Sequence, residues 1–347
     1  MTKVNWKKLT AIAMCTMALT GILTGCGSDA KKDEAKDAAS TEIVAYGVID
    51  PQISAQQIIA DKKGYFKEEG LNVTNKFIQS GGDMSSLISG GSAQVSFESP
   101  YTDIALAANG VGVKIVAPMA NIGNTQAIVA GKNANIINGK DLEGKKVGIP
   151  AGAGVMIAIR NMCNELNVDI SKIQFVTLGP SDAIAALEKG DIDAMACWEP
   201  WISNAQKNGG KLLFSGLKSY LGDKQGDVNW MNFYTTMQVS DTFLKEHPDE
   251  VKKMLTALKK ATDFINENPD EAAEIIAKEI NLDKDEVKQI MSQNQYAMTY
   301  DDKFVKSCDE IADFMKETNN ITNRPDFGKY ADSSMLKSVD ASLVTAE

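Results

Sequence analysis

The stretch "GPSDAIAALEKGDIDAMACWEPW", residues 179–201, decides the fold. Gly179 and Pro180 open a helix, because proline at the first helical position gives up an amide that has no partner there and presets a helical φ. Ser181 and Asp182 fall in its first turn, where a carboxylate suits the free amides. Gly190 and Asp191 then lead into a strand, "DIDAMA", which ends at "ACWEPW". Trp198 closes that strand, and Glu199 and Pro200 start the next helix. The chain has four tryptophans, and two of them bracket this Glu-Pro pair. Trp198 is placed to face a ligand cleft beyond the end of the strand, whereas Trp201 packs into its own lobe. Glu199 could in principle be an acid held between aromatic walls. Proton-transfer chemistry on sugars would require a second placed carboxylate and a sugar-sized groove. Its simpler role is to accept hydrogen bonds from helix-start or hinge amides.

The alternation extends in both directions. "EIVAYGV" precedes a helix from about Gln52, "LNVTNKFI" one from about Asp83, and "AQVSF" one from Pro100. Asp50 with Pro51, Asp83, and Ser99 with Pro100 supply helix-start chemistry. "VKIVAP", "QAIVA", "KKVGIPAGAG" with a helix near 155–166, "IQFVT" and "KLLFSG" keep the rhythm. Strand then helix, repeated, indicates an α/β fold with a mostly parallel sheet covered on both faces. From His247 onward helices follow one another, with Val251, Met254, Leu255, Leu258, Thr262 and Ile265 on one apolar face. Asn268 and Pro269 start a further helix and Asp301 another. They read as packing helices.

Some 300 residues at globular composition exceed what one core usually holds and suffice for two lobes. The formal charge is −10, and losing Lys3, Lys7 and Lys8 would lower it by three. An acidic chain whose only arginines are Arg160 and Arg324 has no basic stripe for nucleic acid. One histidine, His247, sits before Pro248 as a helix-cap neighbour, so histidine-dependent triads and multi-histidine metal sites are excluded by count. Of the five cysteines, Cys163, Cys197 and Cys308 have no short-range partner, so neither a disulfide framework nor a zinc site is expected.

The chain begins with three lysines ahead of an uncharged apolar run over 9–23, the length of a signal peptide and short for a membrane span. Leu23, Thr24, Gly25 and Cys26 resemble the lipobox of bacterial lipoproteins. That implies a signal peptide over 1–25 and a diacylglycerol on the thiol of Cys26, which tethers the protein to the outer face of the cell membrane without crossing it. Residues 26–41 are polar and charged, and read as a flexible tether.

Four stretches together resemble the substrate-binding proteins of nitrate, sulfonate and taurine importers of the ATP-binding-cassette class, a family that also includes pyrimidine-precursor binders. They are "ADKKGYFKEEGLNV" (60–73), "DLEGKKVGIPAGAG" (141–154), residues 179–201, and "HPDEVKKMLTALKKATDFINENPDEAAEIIA" (247–277). The resemblance implies a type II periplasmic-binding-protein fold, two α/β lobes joined by two crossover strands. The crossings are expected near 128–131 and 233–237, giving lobe one as 42–129 with 235–347 and lobe two as 130–234. Its cleft maps onto Asp50 and Gln52 after the first strand, Ser80 and Gly81 after the second, and Glu98, Ser99 and Tyr101 after the third. Asn124 and Thr125 lie by the first crossing, and Gly152, Asp182, Trp198 and Glu199 on the other lobe.

Each of these positions is a strand end or helix start, where free amides can hold an anionic oxygen. Sulfonate receptors usually open one cleft helix with Gly-Ser. This chain has Ala153 and Gly154 there, which removes a hydroxyl available to an anion. Glu98, Asp182 and Glu199 fall in cleft loops and neither arginine does. Like charges about 4 Å apart cost on the order of 4 kcal/mol at a surface-like dielectric, which disfavours a dianion. A monoanion held by amides, a zwitterion such as taurine, or a neutral heterocycle against an aromatic ring fits better. The implied partners are a small organic solute and an importer permease with its ATPase; the receptor itself is expected as a monomer with no metal or cofactor. The alternatives are an aminopyrimidine or aromatic-solute receptor, an enzyme of the pyrimidine-synthase kind, and a surface sensor on the same fold. The synthases depend on an active-site histidine and a cysteine-rich iron motif; this sequence offers only the helix-cap neighbour His247 and no such motif.

Overall fold

The computed structural model describes residues 42–78 and 83–346. The expected signal peptide, the tether, Cys26, Ser80 and Gly81 lie outside the described residues.

Strands β1 (Glu42–Val48), β2 (Asn72–Ile78), β3 (Val95–Glu98) and β4 (Val113–Asn121) open the chain. Then come β5 (Gln126–Ala130), β6 (Lys146–Ile149), β7 (Gln174–Thr177), β8 (Ala194–Trp198), β9 (Lys211–Ser215), β10 (Lys218–Leu221) and β11 (Lys224–Asp227). β12 (Tyr234–Ser240) and the short β13 (Gln295–Tyr296) complete the set. Two sheets result, in the orders β13-β4-β12-β3-β1-β2 and β11-β10-β9-β5-β8-β6-β7. Helices cover the sheets, so the fold is α/β with two lobes.

The sheets are mixed, a correction to the expectation of mostly parallel pairing. β1 pairs in parallel with β2 and β3, and β6 with β7 and β8. β12 is antiparallel to β3 and β4, and β5 antiparallel to β8 and β9. The reason is topological: a strand that arrives from the other sheet enters at the end where the resident strands finish. It therefore runs against them.

The first crossing also differs from the expected 128–131. β5 belongs entirely to the second sheet, so the chain changes sheets between Asn121 and Gln126, through the turn Gly123–Thr125. The return crossing spans 228–233, since β12 from Tyr234 onward lies in the first sheet. A five-residue apolar strand gave no sign of which sheet would take it; its neighbours β8 and β9 decide that.

The two crossing segments bond to each other and to the turn between β9 and β10. The Ile122 amide donates to the Phe233 carbonyl at 2.7 Å, and the Gly216 amide of that turn to the Gly123 carbonyl at 3.0 Å. Asn121 Oδ1 accepts from the Gly123 amide, and its Nδ2 donates to Asn232 Oδ1 at 2.7 Å. Gly123 has to be glycine, because a Cβ there would lie 2.5 Å from the Met231 carbonyl oxygen.

The long C-terminal helix Pro248–Glu267 buries Val251, Met254, Leu255, Leu258, Thr262 and Ile265, the face its spacing predicts. It packs on the helix Ala55–Lys62 of the first lobe. Pro248 and Pro269 occupy first helical positions, and Asp301 caps Asp302–Glu317 by accepting from the Phe304 amide at 2.9 Å. His247 stacks on Phe243, centroids 4.7 Å apart. Cys163, Cys197 and Cys308 are buried and free. No helix among the described residues is long and apolar enough to cross a membrane.

Candidate functional site

β1 to β4 run in one direction in the first sheet, and β6 to β8 in one direction in the second, so their carboxyl ends gather beside the two crossing segments. Open α/β sheets bind ligands at such ends. This seam collects most of the residues singled out in the sequence.

On the first lobe, Asp50 lies just past β1 and makes a tight turn: its Oδ1 accepts from the amides of Gln52 (2.7 Å) and Ile53 (2.6 Å). The helix that follows spans Ala55–Lys62 rather than starting near Gln52. Its expected side-chain cap is replaced by this turn, while the Ser54 hydroxyl donates to the Val48 carbonyl. Gln52, 1 % exposed, reaches across the seam: its Nε2 donates to the Glu199 carbonyl at 3.2 Å. The Thr125 hydroxyl donates to Gln52 Oε1, binding the crossing segment to the same side chain.

Glu98 ends β3 and is 6 % exposed. Its Oε1 accepts from the Ser99 amide at 3.0 Å, and among the described residues its Oε2 has no hydrogen-bond partner. Ser99 precedes the helix Pro100–Ala108 without capping it through its side chain. Gln238 of β12 holds this turn instead, Nε2 donating to the Ser99 carbonyl at 3.1 Å and Oε1 accepting from Ser96 Oγ. Asp103, in the first turn of that helix, is fully buried, and neither of its oxygens has a partner.

Burial pushes the Asp50 carboxyl up to about 6 against the pull of its two amides. It pushes Glu98 up to about 7, with the Asp50 charge adding to the rise. Asp103 is held well above the ordinary carboxyl range by its burial and by the charge of Glu98. Among the described residues no lysine or arginine pairs with any of the three: Arg160 is engaged by Glu317, and Arg324 by Asp309 and Asp313.

On the second lobe, Trp198 closes β8 opposite Gln126 of β5 and is half-buried, packing against the apolar clusters on both faces of its sheet. Trp201 packs into the second lobe. Glu199 is 2 % exposed. Its Oε2 accepts from the Ser203 amide at 2.9 Å, its Oε1 from the Ser203 hydroxyl at 3.0 Å and from Gln293 Nε2 at 3.5 Å. Its own amide donates to the Thr125 carbonyl at 3.1 Å. Glu199 thus accepts helix-start hydrogen bonds and joins the second lobe to the crossing and to the first. Burial raises its pKa against the Ser203 bonds.

Gly152 has φ +70°, and a Cβ there would stand 3.0 Å from Tyr101 Oη, so the second lobe's loop meets the first lobe's helix start. Asn124 Oδ1 accepts from Ser215 Oγ at 3.0 Å. Asp182 occupies the first turn of Pro180–Lys189, as the sequence indicates, but is exposed and shares no hydrogen bond with the other positions. Two surface hollows, of about 390 Å³ beside Arg324 and about 320 Å³ beside Lys132, lie at the opposite ends of their helices and strands from this seam.

Residues 293–296 escaped the sequence reading, which treated everything after His247 as packing helix. β13 pairs with the end of β4, Gln295 opposite Asn121, and so delivers Gln293, Asn294 and Tyr296 to the seam. Tyr296 Oη donates to the Pro51 carbonyl at 3.2 Å. The signal available was the polar run "SQNQY" interrupting a helical region.

The NMT1/THI5 like family profile matches residues 53–272. The chain belongs to that family. A Bacillus subtilis (strain 168) relative named "Putative aliphatic sulfonates-binding protein" is 26 % identical over 327 residues, covering 92 % of this chain and 94 % of its own. The taurine-binding periplasmic protein of Escherichia coli (strain K12) is 25 % identical over 188 residues, 54 % of this chain and 56 % of that one. Among solved structures, the periplasmic aliphatic sulphonate binding protein SsuA from Escherichia coli superposes with a TM-score of 0.71 at 17 % identity, over 83 % of this chain and 96 % of that one. These likenesses are to binding proteins, and the structural one establishes the type II periplasmic-binding-protein fold.

Proposed function

We propose that the protein is the extracytoplasmic solute-binding component of an ABC importer. It takes a small organic solute into the seam between its lobes and delivers it to a permease and its ATPase. The observation that carries this reading is the convergence of both sheets' carboxyl ends on two bonded crossing segments, with Gln52, Thr125 and Glu199 linking the lobes. A seam held by a few hydrogen bonds at a hinge can open and close around a ligand. The names of the relatives support a sulfonate or taurine; nitrate and related organic anions stay within the same proposed solute class. The half-buried Trp198 ring and the loop 151–154 supply a flat surface and free amides for it.

In this reading the division is 42–121 with 234–346 for lobe one and 126–227 for lobe two, and the protein acts as a monomer that binds without turnover. The Leu23-Thr24-Gly25-Cys26 run supports a lipid anchor on Cys26. Asp50, Gln52, Ser80, Gly81, Glu98, Ser99, Tyr101, Asn124, Thr125, Gly152, Asp182, Trp198 and Glu199 are the proposed contact and hinge positions. Glu199 and Gln52 act by setting lobe closure.

The test is isothermal titration calorimetry of the purified protein with alkanesulfonates, taurine, nitrate, aromatic acids and aminopyrimidines. One-to-one binding of at least one of them at micromolar or tighter affinity is expected, with recovery of the compound unchanged. Conversion of a bound compound to product would place the protein among the enzymes instead. Glu199→Gln puts an amide donor opposite the Ser203 amide or hydroxyl and weakens the bound, closed form; unchanged affinity in this variant removes Glu199 from the closing device.

A further inference from the structure

The first lobe carries an acidic site with no counter-charge among the described residues. Asp50 and Glu98 come within reach of each other's charge because β1 and β3 are adjacent and parallel, Gly47 beside Phe97, with Asp50 just past the end of β1 and Glu98 the last residue of β3. Each has already used one oxygen on backbone amides, Asp50 on Gln52 and Ile53, Glu98 on Ser99. The other oxygen of Glu98 is buried and unpartnered among the described residues, at the carboxyl end of β3. A buried carboxylate oxygen without a donor costs more than most single interactions in a protein return, and structures rarely keep one without use.

Among the described residues no hydrogen-bond donor reaches Glu98 Oε2, and three side chains at the seam are engaged elsewhere. Tyr296 Oη donates to the Pro51 carbonyl, the Gln52 amide group to the Glu199 carbonyl, and the Gln238 amide group to the Ser99 carbonyl. Asp103 behind Glu98 is a second acceptor and supplies no charge of opposite sign. A group carrying only anionic oxygens would meet like charge here. A protonated nitrogen would supply both the missing donor and the missing charge, and charge-assisted N–H···O bonds are the stronger kind.

Resting on the solute-binding reading above, we propose that the solute presents a protonated nitrogen, an ammonium or amidinium, to Glu98 Oε2 with Asp50 as the second acceptor. The remainder of the solute faces Trp198 and the 151–154 loop. The ligand class is therefore zwitterionic or cationic amines, and simple sulfonates without nitrogen are poor ligands.

The experiment is calorimetry of the protein with matched pairs that differ in the nitrogen: taurine against ethanesulfonate, and benzamidine against benzamide. In at least one pair the cationic member binds about tenfold or more tightly than its isostere, the scale expected for a desolvated charge pair. Glu98→Gln, and Asp50→Asn as a second variant in case the first does not fold, bring the members of that pair to within about threefold of each other. Binding of ethanesulfonate or benzamide as tightly as the cationic partner overturns the proposal and leaves the solute-binding reading standing. Preference for the cation that survives in a folded Glu98→Gln or Asp50→Asn protein also overturns it. No binding by any member of either pair overturns it too, and if the wider panel is equally silent the solute-binding reading falls with it.

Discussion

Replacing Glu98 by Gln should make the ligand-free protein more stable above neutral pH, a reversal of the usual cost of altering a buried polar residue. Glu98 is buried without a cation, and its carboxyl is pushed from an ordinary 4.5 up to about 7. A carboxyl raised in this way favours the folded state only while it holds its proton. The contribution is complete below the unfolded value and is lost as pH rises through the folded one. At about 1.4 kcal/mol per pH unit between the two values, the wild type loses about 3 kcal/mol from this group between roughly pH 4.5 and 7. Asp50, raised to about 6, adds to the loss over the lower part of that window. The amide of the Glu98→Gln variant would keep an oxygen for the Ser99 N–H and carry no charge to bury, so Glu98's part of the slope disappears. Urea denaturation followed by tryptophan fluorescence, at steps from about pH 5 to pH 8 without ligand, measures both slopes. Wild-type stability that does not fall over this interval, or a Glu98→Gln protein with the wild-type slope, would refute the reasoning.

Three further outcomes follow from the packing. Leu258→Ala opens a cavity in the fully buried face of Pro248–Glu267 and should cost about 2–5 kcal/mol by calorimetric unfolding. Gly152→Ala forces a side chain onto a φ of +70° and sets its Cβ 3.0 Å from Tyr101 Oη, which should cost about 1 kcal/mol and lower solute affinity several-fold by titration. Arg160→Ala removes a partly exposed pair with Glu317 across the lobes and should change unfolding free energy by less than about 1 kcal/mol.

The sequence alone determined where most helices begin and which face of the long C-terminal helix is buried, because local chemistry suffices for that. Pro100, Pro180, Pro248 and Pro269 stand at first helical turns, Asp301 caps its helix, and the spacing from Val251 to Ile265 specifies one buried face. It also placed Asp50, Gln52, Glu98, Tyr101, Thr125, Gly152, Trp198 and Glu199 at strand ends, helix starts and the first crossing, and the fold brings the carboxyl ends of both sheets to one seam. Which sheet each apolar strand joins was left to the tertiary structure, since β5 could be ranked in either until β8 and β9 paired with it. The arrival of Gln293, Asn294 and Tyr296 at the seam was likewise decided by β13 pairing with β4, some 170 residues away in sequence. What Glu199 touches, and that one Glu98 oxygen finds no hydrogen-bond donor among the described residues, are properties of the packed lobes. Hydrogen bonding and desolvation of a carboxylate depend on every element around it, and a linear pattern carries only its neighbours along the chain.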